Sequence, residues 1–305
     1  MAARDYYNRD AGKELVDRLA VGPLVMQGPM GSLLIDEAGA ADVPSAFWNI
    51  AEPQTLTRMH ALYQMAGADI LITNTFQASA PCLERDGISQ GCRAVNRAGV
   101  DCALACSRIT GVPVRLVLGS MGPCGVEWEG EESSEREVAF ASYRDQASVL
   151  LESGVSGILL ETFCSKRDFS LAMAASAEVA DGMPVLASFS IDEAGNLVGD
   201  GSSIEEAAAL AQRLGAVAIG VNCCSIAAAT DAVPRMARAA GLHIMVRPNA
   251  GIPSVDKNGL PHWDEDGEEI ARACVQWVRD GAGLVGTCCG FTPVATCVIS
   301  GTLQD

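Results

Sequence analysis

Histidine is scarce in this sequence, 3 among 305 residues, and aromatic side chains make up only 5% of it. His60 falls within a helical run, His243 opens an apolar run, and His262 lies in a loop with no partner at metal-ligand spacing, so an imidazole-built metal site is not expected. Positive charge is also short. Lys and Arg total 21 against 38 Asp and Glu, a formal net charge of -17, which would repel the phosphate backbone of nucleic acid and an anionic lipid surface. No segment approaches the roughly 18 unbroken apolar residues of a membrane span. The first twenty residues are charged throughout and lack the apolar centre of a secretory signal, so the expected location is the cytoplasm. Linkers rich in Pro, Ser or Gly, low-complexity tracts and breaks in composition are missing too, which argues for one domain over residues 1–305.

What is present is apolar sequence and sulfur. Hydrophobic residues make up 49% of the chain and the mean hydropathy is +0.20, enough for a large core. Eight short runs rich in Val, Ile and Leu recur: LVMQG from Leu24, DILITNTF from Asp69, VRLVLGSM from Val114, GILLETF from Gly157, PVLASFSI from Pro184, VAIGVNCC from Val217, HIMVRPNAG from His243 and GLVGTCCG from Gly283. Runs that are apolar on both faces suit parallel strands buried on both sides. Between them lie Ala-rich amphipathic stretches such as PQTLTRMHALYQMAGA and SSIEEAAALAQRLGA, each with a glycine near its end as a helix stop. This alternation predicts a single-domain α/β fold, a (β/α)8 TIM barrel, in preference to a doubly wound sheet.

Chemistry on such barrels gathers at the C-terminal ends of the strands. Those ends read Gln27, Asn74, Ser120, Glu161, Ser190, Asn222 with Cys223, Asn249, and Cys288 with Cys289. No lysine stands among them, which speaks against a Schiff-base aldolase. Cys223 closes the sixth run and Cys288 with Cys289 the eighth, so three thiols can meet across one rim. Three soft ligands with an open fourth position describe a catalytic zinc site. Core filling and a strained vicinal disulfide are the competing readings of the adjacent pair. Cys224 is the rival ligand, but neighbours on a strand point oppositely. Cys82, Cys92, Cys102, Cys106, Cys164, Cys274 and Cys297 read as structural, and Cys124 is undecided.

The motifs QGPMGS, FWN…HALYQMAGADILITNTFQAS, LGSMGP, LLETF, GVNCCS, PNAGIP and TCCGFTP, in this order over nearly the whole chain, resemble the homocysteine S-methyltransferases, including the homocysteine-binding barrel of cobalamin-dependent methionine synthase. The resemblance implies that Cys223, Cys288 and Cys289 bind Zn2+ and that a homocysteine thiolate takes the fourth position. It assigns Glu161 a role at the substrate's amino group and places Gln27, Gly28, Thr73, Asn74 and Asn222, with Thr75, around the same site. Two departures stand out: Gln27 occupies a position that is commonly acidic in the family, and Thr287 replaces a glycine before the cysteines. The first opens the alternative of a corrinoid-linked methyltransferase of the same family acting on a different thiol or methylated substrate. The sequence contains no corrinoid-binding DxHxxG element. The methyl donor is therefore expected to be a small sulfonium or betaine, or a separate methyl-corrinoid protein acting as partner. A zinc-binding barrel without turnover is the non-enzymatic alternative. The acidic run from Glu127 to Glu137 is expected to be a solvated loop entering a helix N-terminus, with a lid over the rim as the other reading.

Overall fold

The computed structural model describes residues 7–39, 41–130, 132–257 and 259–304. The eight apolar runs form eight parallel strands: β1 (Leu24–Val25), β2 (Ile70–Ile72), β3 (Leu116–Met121), β4 (Gly157–Phe163), β5 (Val185–Phe189), β6 (Ala218–Asn222), β7 (His243–Arg247) and β8 (Ala282–Val285). Each strand pairs with its neighbour in sequence except that β1 pairs with β8. A bridge between Met26 and Ile70, with the Gln27 N–H donating to the Ile70 carbonyl at 2.9 Å, brings β1 against β2 and nearly closes the cylinder. The molecule is a single-domain TIM barrel.

Period-two alternation sorts each strand into an outward row under the helices and an inward row along the axis. The inward row includes Leu24, Met26, Ile70, Ile72, Leu116, Leu118, Leu159, Leu186, Ala218, Met245 and Leu284, which pack as one cluster. Leu15 and Leu19 of the helix Arg9–Leu19 belong to the same cluster and plug its lower end. Two residues further along each strand the same row turns polar. Ser120 follows Leu118, Glu161 follows Leu159, Ser188 follows Leu186, Asn222 follows Gly220, and Arg247 follows Met245. All five are at most 6% exposed, so an apolar floor carries a buried polar layer at the C-terminal mouth.

Helix stops behave as the sequence indicates. Gly67, Gly154, Gly215 and Gly281 follow the helices Pro53–Met65, Ser134–Glu152, Ile204–Arg213 and Gly267–Arg279, all with φ between +87° and +106°. A side chain is strained in that region. The alternation is more ornate than one helix per crossover. Several short helical pieces precede Pro53–Met65, and an antiparallel pair, Ser254–Val255 with Pro261–His262, is inserted between β7 and β8. The acidic segment enters the helix Ser134–Glu152, where Ser133 accepts from the Arg136 N–H and Glu135 and Glu137 sit in the first turn. Trp128 anchors the segment, 5% exposed beneath the Arg167 guanidinium at 4.3 Å. Among the described residues no helix is long and apolar enough to cross a membrane.

Candidate functional site

Cys223 follows the last residue of β6, and Cys288 and Cys289 follow β8 by three and four residues. Their three Sγ atoms lie within 4.8 Å of one another, and Cys223 and Cys288 approach to 3.2 Å. All three are free thiols, so the vicinal disulfide is not formed. A tetrahedral zinc with Zn–S bonds near 2.3 Å would place its sulfurs about 3.8 Å apart, so this tripod matches such an ion in donor type and number, with the Cys223–Cys288 pair needing to open by about 0.6 Å. Cys224 points away: it is 6% exposed, packs in the outer core and has its pKa pushed up to about 12 by burial. The other cysteines stay outside the tripod, and most are buried. Cys297 is exposed and fills no core, contrary to its reading as structural.

Two residues with side chains occupy the left-handed region here. Cys223 has φ 54°, and Thr162, inside β4, has φ 61°. The strain, roughly 1–3 kcal/mol each, falls where the site needs the backbone turned. Thr162 coincides with a register shift between β4 and β5. Asn222 ties the two together. Its Oδ1 accepts from the Thr162 N–H at 3.0 Å and from Ser188 Oγ at 2.6 Å, and its Nδ2 donates to Thr162 Oγ1 at 2.7 Å. The same Nδ2 stands 3.4 Å from Cys223 Sγ and 3.9 Å from Cys288 Sγ, in position to orient two sulfurs.

The thiols share their protons unequally. Hydrogen bonds from Cys223 and Cys289, with the nearby charge of Arg247, hold Cys288 well below the usual thiol range despite burial. Cys223 is raised by its hydrogen bonds to Cys288 and Cys289 and then by burial. Cys289 gains a stabilising hydrogen bond from Cys223, yet Cys288 and burial push it up to about 12.

The tripod opens onto a cavity of about 220 Å³ that is also lined by Gln27, Gly28, Thr73, Asn74, Glu161 and Arg247, among others. The expected site residues converge, but several are occupied. Thr73 Oγ1 accepts from the Ser120 N–H at 3.0 Å and bonds Thr75 Oγ1 at 2.6 Å, stitching β2 to β3. The Asn74 amide donates to Asn49 Oδ1 at 2.9 Å and to the Ser45 carbonyl at 2.8 Å. Gly28 is required by close approach, since a Cβ there would lie 2.7 Å from Thr287 Oγ1 and 3.0 Å from the Tyr63 ring. Glu161 accepts from Ser120 Oγ on one oxygen and from Arg247 Nη1 on the other. Although burial opposes its charge, Glu161 and the Cys288 thiolate keep Arg247 firmly protonated.

Gln27 pairs with a peptide edge. Its Nε2 donates to the Ile72 carbonyl and its Oε1 accepts from the Ile72 N–H, both at 3.2 Å, which settles the amide's orientation. The same Oε1 lies 2.9 Å from His60 Nδ1, so the His60 tautomer carries its proton there. His60 is fully buried, and burial lowers its pKa from 6.5 to about 3. Between those values the unfolded chain binds a proton that the folded chain refuses. Stability that is complete above pH 6.5 is therefore lost as pH falls, by up to about 1.4 kcal/mol per unit. Urea unfolding at pH 7 and pH 5 should show a smaller loss for His60→Asn than for the wild type. Equal losses would remove His60 as the origin.

Sequence reasoning missed Arg247 and Thr162. An arginine in an otherwise apolar strand run was a usable signal for the first. Nothing in the sequence marks Thr162, because threonine in a strand reads as ordinary extended chain.

Fold and site together define an α/β barrel with a cysteine-rimmed cavity at the C-terminal ends of its strands. The homocysteine S-methyltransferase family pattern matches residues 24–301, and the chain belongs to that family. It is 30% identical over 312 residues to the methionine synthase of Mycobacterium tuberculosis, covering 96% of this chain and 25% of that protein. It is 27% identical to homocysteine S-methyltransferase 4 of Zea mays, covering 94% and 91% of the two chains. Among solved structures, the metallated form of the homocysteine methyltransferase MmuM from Escherichia coli superposes with a TM-score of 0.69 at 25% identity, covering 92% and 96%. The chain thus spans a quarter of the methionine synthase's length and nearly all of the other two.

Proposed function

We propose that the chain is a zinc-dependent S-methyltransferase whose acceptor is a thiol, with homocysteine giving methionine as the reference reaction. The observation that carries this reading is the convergence of Cys223, Cys288 and Cys289 at the edge of the cavity in the barrel mouth. Its support from relatives is the family membership and the metallated MmuM structure. The three thiols would hold the ion, and a bound zinc would keep the acceptor's sulfur ionised at neutral pH. That ionisation contributes no more than about 2 kcal/mol, since a thiol of pKa near 8.5 is already a few per cent thiolate at pH 7.

The larger share comes from alignment, for which an effective molarity worth roughly 7–11 kcal/mol is available. In this chain alignment falls to Asn222, which steadies Cys223 and Cys288, and to the buried polar layer of Ser120, Glu161 and Arg247 beside them. The donor is a small sulfonium or betaine, or a methyl-corrinoid on a separate protein, approaching the open side of the cavity. Elemental analysis and zinc-edge X-ray absorption test the reading. One zinc per chain bound by three sulfurs, rising to four when a thiol acceptor is added, is the expected result. Carefully reduced protein that takes up no zinc would sink it.

A further inference from the structure

The polar layer of the cavity is unusual in its charge balance, and this bears on what the acceptor carries besides sulfur. The inference rests on the thiol-methyltransferase reading above. Apart from the thiols, Glu161 and Arg247 are the only charged side chains lining the cavity among the described residues. Glu161 has both oxygens engaged, by Ser120 and Arg247. Gln27 is neutral, and its Oε1, its one acceptor atom, already receives the Ile72 N–H and the His60 Nδ1–H. A substrate ammonium entering this cavity therefore meets no carboxylate that lacks a cationic partner already, and it meets a buried guanidinium of its own sign.

Arg247 is in the opposite condition. It is 3% exposed, and of the five N–H groups of a guanidinium one is bonded, the Nη1 to Glu161. Its Nε is buried without any partner. A buried donor left unpaired is costly, and a planar guanidinium is matched in geometry by a carboxylate. An anionic group on the ligand would complete the set, forming charge-assisted bonds with donors that the protein leaves open.

The geometry points to an acceptor recognised through an anion at Arg247, with no requirement for an α-amino group: a short-chain thiol carboxylate. Homocysteine would then be accepted through its carboxylate, and its amine would add nothing.

The test is a comparison of three thiols on zinc-loaded protein by calorimetry, with zinc-edge absorption reporting whether each adds a sulfur to the metal. The three are homocysteine, 4-mercaptobutanoate, which lacks the amine, and 3-mercaptopropylamine, which lacks the carboxylate. The expected order is 4-mercaptobutanoate at least as tight as homocysteine, with 3-mercaptopropylamine at least tenfold weaker than either. In the charge-balanced variant Glu161→Gln/Arg247→Met, the gap between 4-mercaptobutanoate and 3-mercaptopropylamine should shrink to threefold or less. Homocysteine binding tenfold tighter than 4-mercaptobutanoate to the wild type would overturn the inference while leaving the methyltransferase reading intact. A metal that gains no sulfur from any of the three would overturn both. The wild-type comparison decides the matter even if the double variant fails to fold.

Discussion

Cys288→Ser is expected to lose zinc and turnover together, while Cys224→Ser, one of the other buried thiols nearby, keeps both. Cys288 is 7% exposed and sits between Cys223 and Cys289, and its thiolate is the one that its neighbours and Arg247 favour. A serine hydroxyl at the same place is a harder and far less acidic donor, ill suited to a site built of sulfur. If a zinc site of roughly 10–16 kcal/mol is shared among three thiols, removing one costs about 3–5 kcal/mol, or about 10²- to 10⁴-fold in affinity. Competition with a chelator of known affinity measures this directly. Cys224 is the control because its side chain belongs to the outer core, so its loss is felt as packing alone. Equal zinc affinity in Cys288→Ser and wild type would exclude Cys288 as a ligand.

The second large effect is in stability. Arg247→Met should destabilise the fold by about 3–5 kcal/mol, because it strands the Glu161 carboxylate in a site where it is 6% exposed. Adding Glu161→Gln should restore most of that loss, since the amide oxygen can still accept from Ser120 Oγ and no charge is left without a partner. The buried pair is thus not expected to be a net source of stability. Its two members compensate each other. Urea unfolding of the two single variants and the double variant forms a cycle whose coupling term should be favourable by more than about 2 kcal/mol. Additive losses would mean that the two side chains do not interact in solution. The same cycle separates folding from recognition, because it contains no substrate.

These expectations draw on parts of the molecule that were unequally visible beforehand. The eight strands were legible because a parallel strand buried on both sides must be apolar along its length, and eight such runs stand out from the Ala-rich stretches around them. The helix stops were legible for a steric reason, since Gly67, Gly154, Gly215 and Gly281 take φ values that L side chains resist. The three thiols could be placed on one rim from their position at strand ends, once a barrel was assumed. Asn222 was placed near the substrate, yet its bonds run to Thr162, Ser188 and the sulfurs of Cys223 and Cys288. Cys224 was set aside by strand alternation. In the structure the separation comes from the left-handed turn at Cys223, beyond the end of β6.

Charge in the cavity was the least legible feature. Glu161 was identified by type and position, but its partner lies 86 residues away on β7. Gln27 reads as a lost carboxylate in the sequence; in the structure it is an amide matched to the peptide edge at Ile72 and to His60. By itself the sequence determined the barrel, its strand order and the sulfur chemistry of its rim, because burial, periodicity and residue type are local properties. Only the tertiary structure decided which charges cancel and which donors stay open, because those depend on distances across the closed barrel and on the removal of water from the groups that meet there.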